Sequence, residues 1–301
     1  MKKVSRRKFL KDTAIISTIA PLAMSSAFRT EQEQFKLGYQ LYSIRDFMEK
    51  DPLGTLKKLK SFGYSDFETY GLDAEKLSYY GYTAQEFKSI LDDLGLSTSS
   101  GHYGFPDYLT ESVDKLKYYT DRCIAGAKAL DQDFITWPWL PPEYRDKESY
   151  KKLISMLNII GSQVKNAGLS FAYHNHGFDL EDLGDGEIGY EMIRKETDPS
   201  LVKLQLDMYW AVYAGLDPVE MIAKEPDRYV MWHIKDMDKK TRDYSELGNG
   251  SIDYARILAN ASRSGLKYYF IEQGGNYAKN SMKSAETSAI FFQKNLKQLL
   301  G

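Results

Sequence analysis

The chain has four histidines in 301 residues, and each stands where an apolar, strand-like run gives out. His102 closes the run Ser97–His102. His174 and His176 fall in Tyr173-His174-Asn175-His176-Gly177-Phe178-Asp179, and His233 in Trp232-His233-Ile234-Lys235-Asp236. Two carboxylates sit in similar places: Asp207 in Leu204-Gln205-Leu206-Asp207-Met208-Tyr209-Trp210 and Glu272 in Phe270-Ile271-Glu272-Gln273-Gly274-Gly275. Side chains two apart on a strand share a face, which pairs His174 with His176 and His233 with Lys235. With Asp207 and Glu272 arriving from neighbouring strands, two or three imidazoles and two carboxylates converge on one point. A mixed nitrogen and oxygen set suits one divalent Mn, Zn, Co or Fe ion better than Mg, which prefers oxygen ligands. Plainer roles compete: Asp207 also suits a helix N-cap, and His233 a barrel-interior imidazole satisfied by a backbone carbonyl. Glu272 resists such a reading, because an unpaired carboxylate in the run Tyr268-Tyr269-Phe270-Ile271 is costly to bury.

The elements that must position these groups alternate along the chain. Strand candidates are Lys36–Ser43, Ser65–Tyr70, Ser97–His102, Phe134–Trp137, Ser170–His174, Val202–Asp207, Val230–Lys235 and Tyr268–Glu272. Between them run helix-period segments such as Leu53–Phe62, Ser149–Ala167 and Ile252–Ser264. Gly63, Gly95, Gly168 and Gly265 each follow such a segment, where a left-handed residue ends a helix. Strand–helix alternation means parallel strands joined by right-handed crossovers, and eight such units predict an α/β fold of one closed (β/α)8 TIM barrel over residues 35–301. No G-x-G-x-x-G follows the first strand, which removes the main support for a dinucleotide fold. In such a barrel chemistry sits at the carboxyl ends of the strands, where these histidines and acids fall.

Composition narrows the partners. Forty Lys+Arg against 42 Asp+Glu give a formal net charge of −2, with no long basic block, which argues against a nucleic-acid ligand. The lone Cys123 allows neither an internal disulfide nor a cysteine zinc site. Tyrosine occurs 23 times and tryptophan four times. Trp137, Trp139, Trp210 and Trp232, all at or near strand ends, suit stacking on a sugar, with Trp137 and Trp210 the leading candidates, against the alternative of ordinary packing. Over residues 1–34, Ser5-Arg6-Arg7-Lys8-Phe9-Leu10-Lys11 precedes an apolar stretch from Thr13 to Met24 and small residues at Ser25-Ser26-Ala27. The stretch is too short for a membrane anchor. It reads as a cleavable signal of the twin-arginine type, with Arg29 to Gln34 as linker. The expectation is a periplasmic protein exported by the twin-arginine machinery.

These motifs, together with Leu37-Gly38-Tyr39-Gln40-Leu41-Tyr42-Ser43-Ile44-Arg45-Asp46 and Gly63-Tyr64 through Glu68, resemble the xylose-isomerase-like barrel superfamily of sugar phosphate isomerases and epimerases, across residues 36–300. The resemblance implies metal ligation by Asp207, by His233 of the H-x-K-D motif and by Glu272. The family's fourth ligand is usually a glutamate where this chain has His174, which removes one negative charge from the shell. It also implies proton removal next to a carbonyl or hydroxyl of a metal-held sugar, through an enediolate. His176 is then the candidate base, with Asp179 and Lys235 as further acid/base or oxygen-binding groups. Glu68, His102, Trp137 and Trp210 are substrate-binding candidates. Export disfavours a phosphorylated substrate, so a keto-glycoside opened by β-elimination stands as an alternative. A non-catalytic sugar-binding barrel is another. The superfamily's apurinic endonucleases are disfavoured by the histidine count, the net charge and the export signal.

Overall fold

The computed structural model describes residues 35–184 and 186–300, so the expected signal over residues 1–34 lies outside the described residues. Eight strands close one ring: β1 Gly38–Gln40, β2 Asp66–Thr69, β3 Ser97–His102, β4 Phe134–Trp137, β5 Ser170–His174, β6 Val202–Asp207, β7 Tyr229–Ile234 and β8 Tyr268–Ile271. Every neighbouring pair is parallel, and Tyr39 opposite Ile271 seals β8 against β1. The expected (β/α)8 barrel is the fold. β3, β4, β5 and β6 keep their expected bounds, whereas β1 is shorter than Lys36–Ser43. There the Gln40 side chain accepts the Tyr42 N–H and turns Leu41–Ile44 into a 3-10 helix.

The outer layer is built by α1 Pro52–Ser61, α2 Ala84–Asp93, α3 Val113–Ala129, α4 Lys147–Asn166, α5 Gly189–Glu196, α6 Pro218–Lys224, α7 Tyr254–Leu258 and α8 Ser281–Asn295. Short polar side chains start most of them. Asp51, Ser112, Asp146, Asp217, Asp253 and Asn280 each accept a backbone N–H at the first turn, and Thr83 forms a reciprocal capping box with Glu86. Gly63, Gly95 and Gly168 end α1, α2 and α4 at φ +100°, +62° and +83°. Gly265 does not take a left-handed conformation. The expected helix Ile252–Ser264 breaks after Leu258, and a 3-10 turn Ala261–Arg263 runs out through an extended Ser264, so no reversal is needed there. Among the described residues no helix is long and apolar enough to cross a membrane.

Inside the ring, Phe134, Ala172, Val230, Met231 and Phe270 form an apolar cluster of their own. Its members come from β4, β5, β7 and β8, so it spans the barrel interior. The Phe270 ring centroid lies 6.1 Å from that of His233, so this plug lies directly against the polar end of the barrel. Two register slips interrupt the ring, between Phe67 and Glu68 on β2 against β3 and between Leu204 and Gln205 on β6 against β7. Bulges of this kind re-aim side chains beside functional sites, and here they precede two residues that hydrogen-bond to each other across the barrel.

One packing contact reaches the site from outside the ring. Gly189 opens α5 against Tyr150, and a Cβ there would lie 2.2 Å from the ring carbon bearing the hydroxyl. That hydroxyl donates to Asp179, which in turn accepts the backbone N–H of His176. Gly189→Ala is therefore expected to destabilise the fold by about 1–3 kcal/mol through overpacking. Urea unfolding measures this, and an unchanged midpoint would show that Tyr150 yields freely.

Candidate active site

The carboxyl ends of the strands bring the sequence candidates together. His174, Asp207, His233 and Glu272 each offer one donor atom, and these atoms all lie within 4.8 Å of one another; His102, His174 and His233 form a second such group. Ring centroids are 4.5 Å apart for His174 and His233, 5.1 Å for His102 and His174, and 4.8 Å for His174 and His176. Register explains the meeting: β6 sets Asp207 opposite His233, and β5 sets His174 opposite Gln205. A cavity of about 980 Å³ opens onto this point, with His102, His174, His176 and Glu272 in its lining. Asp207, His233, Lys235 and Glu68 are buried beside it.

Glu68 organises the buried half. Its carboxylate accepts from Gln40 Nε2 at 2.6 Å, Ser100 Oγ at 2.7 Å, Gln205 Nε2 at 2.7 Å and His233 Nε2 at 2.6 Å, with His102 Nε2 at 3.1 Å. Burial alone would raise its pKa, yet His102 and His233 outweigh it and hold the group well below the usual carboxylate range. The other ring nitrogen of His233 lies 2.7 Å from Glu272 Oε2. Both nitrogens thus face carboxylates, and His233 is an imidazolium: burial lowers its pKa, but Glu68 and Glu272 lift it to about 10. Lys235 Nζ bridges Asp207 Oδ2 and Glu272 Oε2 at 2.8 Å each. Three aromatic rings surround the ammonium, Tyr209 at 5.8 Å, Trp210 at 5.9 Å and Tyr244 at 5.2 Å from the centroids. Burial opposes the charge, but the two carboxylates raise the Lys235 pKa above its ordinary value.

The hydrogen bonds also fix a tautomer. Gln205 must present its NH2 to Glu68, an acceptor only, so its carbonyl oxygen faces His102 Nε2 at 2.8 Å. His102 therefore carries its proton on Nε2, and in the neutral ring Nδ1 keeps the lone pair.

Other candidates land differently from expectation. His176 is not suited to accept a proton: burial, reinforced by Lys235, lowers its pKa to about 3, and its Nδ1 has no partner. Asp179 has no free oxygen. One accepts from Tyr150 and Tyr173 at 2.7 Å each and the other from the His176 N–H at 2.7 Å, so it holds the turn while burial raises its pKa to about 6. Trp137 is buried, stacked on Phe105, and its Nε1–H donates to the Trp139 carbonyl. The neighbouring Trp139 lines the cavity instead. Trp210 lies against His176, centroids 5.9 Å apart, rather than in the cavity lining. Asp207 is the helix N-cap of its plainer reading, its Oδ1 accepting the Trp210 N–H at the start of a helix, and it also lies in the four-residue donor cluster. Gln40, Ser100 and Gln205 join the site beyond the sequence candidates; for Gln205 the signal is its place two residues before Asp207 on one strand face.

The residues fit a divalent ion. His174 Nδ1 is buried with no hydrogen-bond partner, burial and its histidine neighbours keep that imidazole neutral, and Glu272 is held ionised by Lys235 and His233 against its burial. Ligation by His233 costs it a proton, and ligation by Asp207 and Glu272 displaces Lys235 from them. Without metal, His233 carries a proton that the unfolded chain loses above pH ~6.5. Its stabilisation is complete below that value and is lost as pH rises through about 10. In the presence of a chelator, stability should fall over this window with a slope approaching about 1.4 kcal/mol per pH unit. His233→Asn should flatten it; a wild-type curve that is already flat would refute the imidazolium.

Comparison with known proteins identifies the family of the barrel. The xylose isomerase-like TIM barrel family matches residues 56–293. A sugar phosphate isomerase/epimerase from Parabacteroides distasonis is 26% identical, superposes with a TM-score of 0.76, and is covered over 96% of its length by 89% of this chain. An inosose dehydratase of Clostridium perfringens is 33% identical over 95 residues, 32% of this chain and 31% of that one. Another, of Mesomycoplasma hyopneumoniae, is 25% identical over 213 residues, 70% of this chain and 63% of that one. The chain thus spans less than two thirds of the dehydratases it matches. With a closed eight-stranded barrel and a family match across most of its length, the chain belongs to the xylose isomerase-like TIM barrel family.

Proposed function

We propose that the protein is a divalent-metal-dependent carbohydrate enzyme that removes a proton next to a carbonyl. The observation that carries this reading is the convergence of His174, Asp207, His233 and Glu272 at the cavity. An ion held by these four residues would polarise the substrate carbonyl and stabilise the negative charge that develops as the adjacent C–H bond breaks. His102 is the proton acceptor: its side chain lines the cavity, and Glu68 and Gln205 hold its Nε2–H so that Nδ1 is free to take the proton. Before an ion is taken, Lys235, with one donor each on Asp207 and Glu272, keeps both carboxylates together at the cluster. Asp179 and Tyr150 fix the turn that carries His176.

Isomerisation or epimerisation follows if the proton returns to the sugar; elimination follows if a leaving group departs from the next carbon. The likeness to inosose dehydratases supports the second outcome as an alternative. Export by the twin-arginine route belongs to the same proposal and rests on Ser5 to Lys11. Arg6→Lys combined with Arg7→Lys should hold the protein in the cytoplasmic fraction, and unchanged periplasmic recovery would remove the export reading.

Ketoses and keto-glycosides incubated with the protein in heavy water should acquire deuterium beside the carbonyl, followed by proton NMR. A chelator, Glu272→Gln and His102→Asn should each slow this by roughly a hundredfold or more. Exchange retained in Glu272→Gln would take the cluster out of the mechanism. Elimination would add an unsaturated carbonyl product absorbing in the ultraviolet, whereas isomerisation leaves the glycosidic bond whole.

A further inference from the structure

The cavity is larger and differently lined than one reacting sugar requires. At about 980 Å³ it stands at the top of the roughly 300–1,000 Å³ range of small-molecule sites. Its chemical groups lie at one end, while the rest runs outward past the loops after β1, β2, β3 and β4, walled by Tyr42, Tyr70, Tyr108 and Trp139. These rings are held in place. Tyr42 meets Tyr70 edge-on at 5.3 Å and carries the Arg45 guanidinium at 4.3 Å. Tyr108 stacks on Tyr119 at 4.2 Å, and the Trp139 carbonyl is tied to Trp137. Yet Tyr42 and Trp139 remain 46% and 41% exposed, so flat apolar faces stand open beside the catalytic groups.

Among the described residues that line this wall, no Lys or Arg stands unpaired to receive a phosphate. Lys115 is the lysine in the lining, and its ammonium is 2.8 Å from Glu111, which lines the cavity with Asp107. Barrels of this kind often hold phosphate in the loops after the last two strands. Here the loop after β7 has given its amides away: Asp236 accepts the N–H groups of Gly248, Gly250 and Ile252 at 2.9, 3.1 and 3.2 Å.

We infer that the outer arm of the cavity is a subsite for a second, uncharged ring joined to the reacting sugar by a glycosidic bond, so that the substrate is a neutral glycoside rather than a sugar phosphate. The inference rests on the carbohydrate reading above and names the substrate class for that site. Aromatic faces gain from stacking on the apolar face of a pyranose or an aryl group, and a charged group there would meet Asp107 and Glu111.

Calorimetric titration of the full chain with methyl β-glucopyranoside, cellobiose and glucose 6-phosphate tests it without turnover. Cellobiose should bind at least about tenfold tighter than the methyl glucoside, and glucose 6-phosphate no tighter. Trp139→Ala and Tyr42→Ala, both partly exposed positions that leave the core untouched, should each bring the cellobiose preference toward onefold. Equal affinities in the wild type, no binding of either glycoside, tighter binding of the phosphate, or a preference unmoved by both variants would overturn the subsite. Discrimination without deuterium exchange would keep the subsite and remove the reaction; exchange without discrimination would remove the subsite alone.

Discussion

Glu68 places a carboxylate where water does not reach, and an unpaired charge there would be too costly to keep. It is tolerated because four other strands deliver donors to it: Gln40 from β1, Ser100 and His102 from β3, Gln205 from β6 and His233 from β7. Those same donors set the chemistry. By accepting from His233, Glu68 keeps that ring charged; by orienting Gln205, it fixes the His102 proton on Nε2. The two register slips of the barrel fall just before Glu68 and Gln205, so backbone irregularity and side-chain network serve one arrangement. A partly satisfied network of this kind would be worse than an apolar interior, which is why a single carboxylate constrains residues up to 165 positions from it.

The sequence made the frame legible because strand and helix periods, and the glycines after α1, α2 and α4, are local signals. It made the meeting of His174, Asp207, His233 and Glu272 legible because period-2 alternation tells which face a side chain takes and barrel chemistry gathers at one end. Depth was not legible. Asp179 and His176 share a motif with His174, yet Asp179 is consumed by two tyrosine hydroxyls and a backbone amide, and burial strips His176 of its basicity. Both outcomes depend on what surrounds the groups in space. Trp137 and Trp139 differ by two positions and should share a face by alternation. The strand ends between them, at Trp137, so the rule lapses and Trp139 turns to the cavity while Trp137 packs on Phe105. Neutral residues such as Gln40 and Ser100 gave no signal, because only a buried charge makes a glutamine or serine decisive.

Charge balance ties the histidine at position 174 to the rest of the site. Glu68, Asp207 and Glu272 stand against the Lys235 ammonium and the His233 imidazolium, which leaves the buried cluster one negative charge. A divalent ion taken with loss of the His233 proton would bring the same group of residues to neutrality, with Lys235 still charged among its aromatic rings. A glutamate in place of His174, as the resembling family usually has, would restore one negative charge to a pocket from which water is excluded. The imidazole at 174 thus matches a site in which Glu68 already supplies the third carboxylate. It follows that charge couples position 174 to Glu68: with the ion bound, exchanging either alone would leave a charge uncompensated, whereas a paired change, acid into 174 and amide into 68, preserves the sum.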